Sequence, residues 1–198
     1  MRNIHSFKAF IHLRMLLLLM VAFSCKETDE TTSEGMFVNI PDNRFKTALL
    51  ADTAINVDDN QEISIKEAAA FEGDIEVQNL GIADMTGLEA FSNVTRISCF
   101  GNELTQLDVS KNTKIIQLLC ESNAITRLDI SSNVSLIDFK AHSNELVELN
   151  ASNSNNENFT RFEAQQNTNL NCIQVDTGFI PPNEWLKPAN TAFSANCN

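Results

Sequence analysis

The chain has 198 residues, with 26 Asp and Glu against 14 Lys and Arg, for a formal net charge of −12. Such an acidic balance argues against nucleic acid and against docking on an anionic membrane surface. Its 43% apolar content supplies a core, and the length fits one domain behind any leader.

Residues 1–25 read as a signal peptide and not as part of the fold. Arg2, Lys8 and Arg14 form a basic lead into the apolar run Met15–Phe23, which is too short to span a bilayer. Ser24-Cys25 resembles a bacterial lipoprotein cleavage site, although Ala22-Phe23 departs from the usual Leu-small pattern there. The resemblance implies lipidation of Cys25 and anchoring through the lipid alone; ordinary secretory cleavage nearby would leave Cys25 a spare thiol. Lys26-Glu27-Thr28-Asp29-Glu30 is similar to the surface-export tag of Bacteroidota lipoproteins, which implies an outer-membrane lipoprotein exposed on the cell surface. Residues 26–35 are polar throughout and read as a flexible tether. Loss of residues 1–25 removes three basic and no acidic residues, leaving 11 Lys and Arg against 26 Asp and Glu, a net of −15.

Residues 36–74 read as a helical cap. Asp42 or Asn43 can cap a helix through Phe45, Leu49 and Leu50, and Ser64-Ile65-Lys66-Glu67 is a capping box opening a second helix, Ile65 to Phe71. Between them, Asn56 to Glu67 resembles the twelve-residue EF-hand loop. The resemblance places Asn56, Asp58, Asn60, the Glu62 carbonyl, Ser64 and Glu67 at the calcium-ligating positions. Two departures stand out: Asn56 replaces an Asp, and Gln61 replaces the Gly that makes the sharp turn. Fewer charges and a strained turn imply calcium affinity on the order of millimolar. A helical cap with solvated carboxylates is the simpler reading of the same residues.

Residues 75–176 repeat every 21 residues. Val94 to Leu104 aligns with Ile115 to Ile125 and Leu136 to Leu146, each reading L-x-x-L-x-C/A-x-x-N-x-L with Ile, Val and Phe counted as Leu. Second halves follow at Leu107-Asp108-Val109-Ser110 and Leu128-Asp129-Ile130-Ser131. The pattern resembles the leucine-rich repeat, and Leu80 to Phe91 is similar to the I-x-D-L-T-G-L segment of internalin-type repeats. An α/β solenoid is therefore expected: a short, right-handed leucine-rich-repeat stack of parallel strands with an N-terminal helical cap. Ile97 with Cys99, Leu118 with Cys120 and Phe139 with Ala141 suit a short strand buried on one face. Asn102, Asn123 and Asn144 should align as a ladder binding loop backbone. One such coil cannot offset the entropy of ordering its own backbone, so stacking is obligatory. After Leu146 the register lengthens around Asn153–Glu157, and Phe159, Phe162 and Ala164 restore it.

Residues 177–198 read as a C-terminal cap. Asn169-Leu170 and Cys172-Ile173-Gln174-Val175-Asp176, followed by Trp185 and Cys197, resemble the closing cap of flavobacterial leucine-rich-repeat proteins. In an exported protein that resemblance implies a Cys172–Cys197 disulfide. Cys99 and Cys120 occupy equivalent inward positions of adjacent coils and are expected as buried, reduced thiols, although their spacing leaves a bridge open.

Catalytic chemistry has little support. His142 is the one histidine after residue 25, and no zinc spacing, phosphate loop or nucleophile elbow is present. The chain reads as a non-enzyme. Strand positions between inward residues form outward rows: Arg96, Gln117, Asp138 and Arg161; then Ser98, Leu119, Lys140 and Glu163; then Phe100, Glu121, His142 and Gln165. This face is the expected ligand site, with Phe100 and Leu119 as an exposed apolar patch. The expected partner is an extracellular or cell-surface protein, recognised or adhered to. A structural envelope scaffold and a glycan-binding accessory lipoprotein are the alternatives.

Overall fold

A segment that repeats at a fixed interval, and cannot bury its apolar residues alone, piles its copies so that each repeat position becomes a row. The computed structural model describes residues 36–197, and in it the chain forms a parallel-strand solenoid of about six turns. The expected signal peptide, the lipidated Cys25 and the tether of residues 26–35 lie outside the described residues.

One sheet runs β1 (Asp74–Glu76), β2 (Arg96–Ser98), β3 (Gln117–Leu119), β5 (Asp138–Lys140) and β7 (Arg161–Glu163), all parallel. Its register puts Ile75, Ile97, Leu118, Phe139 and Phe162 in one fully buried row. The Leu-Asp-Val/Ile-Ser half-repeats build the opposite side of each coil. There β4 (Arg127–Asp129), β6 (Glu148–Asn150), β8 (Cys172–Gln174) and β9 (Ala192–Ser194) form a second parallel sheet. Leu128, Leu149 and Ile173 point inward from it, as do Ile130, Ala151 and Val175 two residues on, so each coil fills a shared core from both sides.

Asparagines seal the coils to one another. Asn123 donates Nδ2 to the carbonyls of Cys99 and Cys120 at 3.1 and 3.2 Å, and accepts from Leu104 N–H at 3.1 Å. Asn102 and Asn144 repeat this pattern, and Asn167 extends it by one coil. On the other half of the coil, Asn112, Asn133 and Asn153 bridge carbonyls in a second ladder. The residue before each asparagine of the first ladder is left-handed: Gly101, Ser122, Ser143 and Gln166, with φ between 56° and 67°. That backbone turn aims the following carboxamide at the neighbouring coil. Only Gly101 adopts it without steric cost.

Both ends are covered. α1 (Asn43–Ala51) starts at Asp42, whose side chain accepts from Arg44 N–H and Phe45 N–H, and buries Phe45 and Leu49. α2 (Ile65–Ala70) opens with the capping box of Ser64 and Glu67. At the far end Trp185 stacks on Phe162, with ring centroids 4.0 Å apart and 7° between planes, and Phe159, Phe179 and Phe193 pack around it. Leu186 takes the strand position beyond β7 and β9 that beyond β8, so the tail extends both sheets. Cys172 and Cys197 are bridged, with Cα atoms 5.7 Å apart. A loop of this length contributes about 3 kcal/mol by restricting the unfolded chain.

Candidate functional site: the outer face of the first sheet

Because successive strand residues alternate sides, the residues flanking the buried row face outward. The register aligns Asp74, Arg96, Gln117, Asp138 and Arg161 in one row, and Glu76, Ser98, Leu119, Lys140 and Glu163 in the next. Backbone bonds from Asn79 N–H to Phe100 O, Gly101 N–H to Glu121 O, Ser122 N–H to His142 O and Ser143 N–H to Gln165 O bring Phe100, Glu121, His142 and Gln165 into a third.

Side chains interlock along these rows. Arg96 donates to Glu76 Oε1 at 2.6 Å and lies 3.9 Å from Asp74. Gln117 Nε2 donates to Asp138 Oδ2 at 2.5 Å, and Arg161 Nε stands 3.6 Å from Asp138 Oδ1. His142 Nε2 lies 3.8 Å from Glu163 Oε2, while its Nδ1 meets Ser143 Oγ at 3.1 Å and Ser143 Oγ in turn meets Gln166 Oε1 at 2.6 Å.

The expected apolar patch is not exposed. Leu119 is 8% exposed, Ser98 is 1% exposed and Phe100 is half-buried. At Ser98 and Leu119 the middle row forms a floor between the longer side chains of Arg96, Gln117, Phe100 and Glu121, its walls, whereas Glu76 in the same row is exposed and Lys140 and Glu163 are half-buried. Periodicity assigns the side of the sheet, but not which outward side chains cover others.

Several atoms of the face are occluded without a hydrogen-bond partner among the described residues: Arg96 Nε, Glu121 Oε2, Asp138 Oδ1 and Gln165 Oε1, with Gln78 Oε1 on the first coil. Behind the wall lie Cys99 and Cys120, both free and buried. Burial, with the nearby Glu121 charge adding to it, pushes the Cys99 thiol up to about 12. Burial also raises Cys120 well above its ordinary value, with Cys99 and Glu121 contributing. Both thiols are space-filling and inert at neutral pH.

A second concavity, a trough of about 1270 Å³, follows the second sheet between Asp108, Arg127, Asp129, Glu148, Asn150 and Gln174. The repeat gave no sign of it.

In the N-terminal cap, the Asn56–Glu67 loop closes on itself. Glu67 Oε1 accepts from Val57 N–H at 2.9 Å, and Oε2 accepts from Ser64 N–H and Oγ at 2.8 and 2.7 Å. Burial acts to raise the pKa of Glu67, but these donors outweigh it and hold it below the ordinary value. Asp58 Oδ1 accepts from Asn60 N–H, and Asn60 Oδ1 from Glu62 N–H. Asn56 donates Nδ2 to the carbonyls of Leu50 and Asn60, while its Oδ1 is buried and unpartnered. Ser64 serves as the cap of α2. The expected strain at Gln61 is absent: the left-handed residue of the loop is Asp59, with φ 54°, so the turn falls two positions earlier. Among the described residues, no group of three or more His, Cys, Asp or Glu side chains is placed to hold a metal, so a cation here would lean on amide and carbonyl oxygens. Among the same residues no helix is long and apolar enough to cross a membrane.

No family model matches the chain. It is similar to Internalin J of Listeria monocytogenes serotype 4b, with 34% identity over 73 residues; these make up 37% of this chain and 8% of that protein, so the chain spans less than a tenth of its curated relative. Among solved structures, the functional domain of InlJ from Listeria monocytogenes, described as including a cysteine ladder, superposes with a TM-score of 0.49 and 24% identity, covering 68% of this chain and 36% of that one. The internalin InlF from the same species gives a TM-score of 0.47 and 18% identity, covering 69% and 43%. The chain is a parallel-strand solenoid of about six turns, and its repeats are similar to the leucine-rich repeats of an internalin.

Proposed function

We propose that this chain is a surface lipoprotein of the Bacteroidota, anchored in the outer membrane through lipid on Cys25, whose first sheet recognises or adheres to a protein outside the cell. The observation that carries the reading is the outer face of that sheet. Five strands present a continuous polar mosaic, with occluded polar atoms at Gln78, Glu121 and Gln165 that have no hydrogen-bond partner among the described residues. The similarity to an internalin and the disulfide of an oxidising compartment support it. The chain acts as a binding protein and not an enzyme. A glycan-binding role is weaker, because Phe100 is the face's one aromatic ring and is half-buried; a purely structural envelope role would leave the mosaic without a saturable ligand.

The test is steric. Trp placed at Gln117 and Gln165 blocks the first face, and Trp at Asn150 blocks the second sheet as a control. Purified chain should capture a surface protein from the native cell exterior, and the first-face variant alone should lose it. Equal capture by all three forms would remove the face from consideration.

The cap loop is proposed as a weak calcium site formed by Asn56, Asp58, Asn60, the Glu62 carbonyl, Ser64 and Glu67. The buried, unpartnered Asn56 Oδ1 favours it. Calcium on the order of millimolar should raise the melting temperature of the chain, and D58N should abolish the rise. An equal rise with magnesium, or none with either ion, would leave the loop as a cap only.

A further inference from the structure

We infer that the partner presents lysine or arginine side chains to this face, and that Glu121, flanked by Phe100, is the pocket that receives one. The inference rests on the proposed binding role of the first sheet and names the chemistry of what it binds.

Along the face, Asp74, Glu76, Glu121, Asp138 and Glu163 outnumber Arg96, Lys140 and Arg161. The arginines are already engaged, Arg96 with Glu76 and Arg161 with Asp138. Glu121 differs from the other four carboxylates. Among the described residues it has no ion-pair partner, and its Oε2 is occluded with no hydrogen-bond donor to meet it. A half-buried carboxylate in that state has lost water without gaining a cation, which is costly unless a ligand supplies one.

The surroundings fit a cationic side chain. Phe100 occupies the same row one coil earlier, so its ring neighbours Glu121 across one strand spacing of about 4.8 Å, and an aromatic face attracts an ammonium or guanidinium. On the same outer surface, Gln78 Oε1, Glu121 Oε2 and Gln165 Oε1 are acceptors that no donor meets among the described residues. A partner rich in lysine or arginine complements the excess of carboxylates on this face, whereas an acidic one adds repulsion. The net charge of −12 attracts such a partner before contact.

A fluorescein-labelled peptide of alternating lysine and serine, followed by anisotropy at physiological salt, tests this directly, with alternating glutamate and serine and a neutral oligosaccharide as comparisons. The lysine peptide should bind and the other two should not. E121Q, nearly isosteric, should weaken binding about tenfold, and F100A several-fold, whereas E148Q on the second sheet should stay within about twofold. Circular dichroism melts establish that each variant is folded. Loss of equal size in E121Q and E148Q would mean general acidity and overturn the pocket, as would unaffected binding in E121Q, failure of the lysine peptide to bind, or binding of the oligosaccharide instead. If the Trp-blocked first face loses its surface partner while the lysine peptide is ignored, the cationic pocket fails and the binding face stands. If the blocked face still captures the partner, both fail.

Discussion

Trp185 lies face to face with Phe162, 4.0 Å between ring centres, so the tail closes the solenoid by stacking on the inward side chain of its last first-sheet strand. That position needs a flat ring: the row that runs Ile75, Ile97, Leu118, Phe139, Phe162 would otherwise end against water. Trp185 is the only tryptophan and is buried. W185A should cost about 3–5 kcal/mol, with W185F much closer to wild type. Thermal melts by circular dichroism check both, and an unchanged midpoint in W185A would show that the tail is not a lid.

The asparagine ladder makes a sharper demand. In N123A, Leu104 N–H and the carbonyls of Cys99 and Cys120 lose their shared partner between two coils. About 2–3 kcal/mol should be lost in chemical denaturation. N123D keeps the shape but turns a carboxylate oxygen on two carbonyls, so it should be worse than N123A at neutral pH and recover in acid.

Ser122 pays for its place before that asparagine. Its φ of 57° is a glycine conformation, and its side chain is exposed. S122G should therefore stabilise the chain by about 0.5–1 kcal/mol, against the usual sign for glycine. A lower melting temperature in S122G would mean that the serine side chain contributes more than the backbone strain costs.

Asp42 joins the cap to the first coil. Its carboxylate accepts from Arg44 and Phe45 N–H at the start of α1, and from Ala83 and Asp84 N–H across the boundary. Burial acts to raise its pKa, but the four donors outweigh it and hold it below 3.8. A lowered pKa means that its stabilisation is complete above the ordinary value and is lost as pH falls through the folded one. D42A should cost about 1 kcal/mol at neutral pH, and the gap to wild type should narrow as pH falls below 3.8. A gap that persists in strong acid would assign the effect to something other than the charge.

Much of this architecture could be read from spacing. Ile97, Leu118 and Phe139 recur every 21 residues, and they share one buried row; Asn102, Asn123 and Asn144 do the same and form one ladder. These positions are legible because a solenoid converts sequence period into contact. Asn167 escaped because the longer turn at Asn153–Glu157 shifts it out of period, although the residue before it is left-handed like Ser122. The second sheet escaped because Leu-Asp-Ile-Ser gives a single alternation, Leu128 and Ile130 inward around Asp129, too short a pattern to define a strand. On the candidate face, period fixed the side but not the covering: whether Leu119 is open depends on how Gln117 and Glu121 lean, which no repeat encodes. The Asn56–Glu67 loop was legible as a cap through Ser64 and Glu67, whereas its turn at Asp59 was not, since aspartate tolerates the left-handed region without announcing it.

Cys99 and Cys120 supply a chemical check on the stack. Two buried thiols, one pushed up to about 12 by burial, should resist iodoacetamide in the native state and react once the chain is unfolded. Peptide mapping by mass spectrometry locates the label. Rapid native alkylation at either residue would mean that the coils part at that point.

The central claim is that the outer face of the first sheet is where this chain meets its partner. Surface plasmon resonance, with the captured surface protein flowed over immobilised wild-type chain and over the forms carrying Trp at Gln117 and Gln165 or at Asn150, measures it most directly. The account predicts wild-type affinity for the Asn150 form and loss of binding for the Gln117 and Gln165 form, with both folded. Undiminished affinity in the first-face form, or loss confined to the Asn150 form, would contradict it.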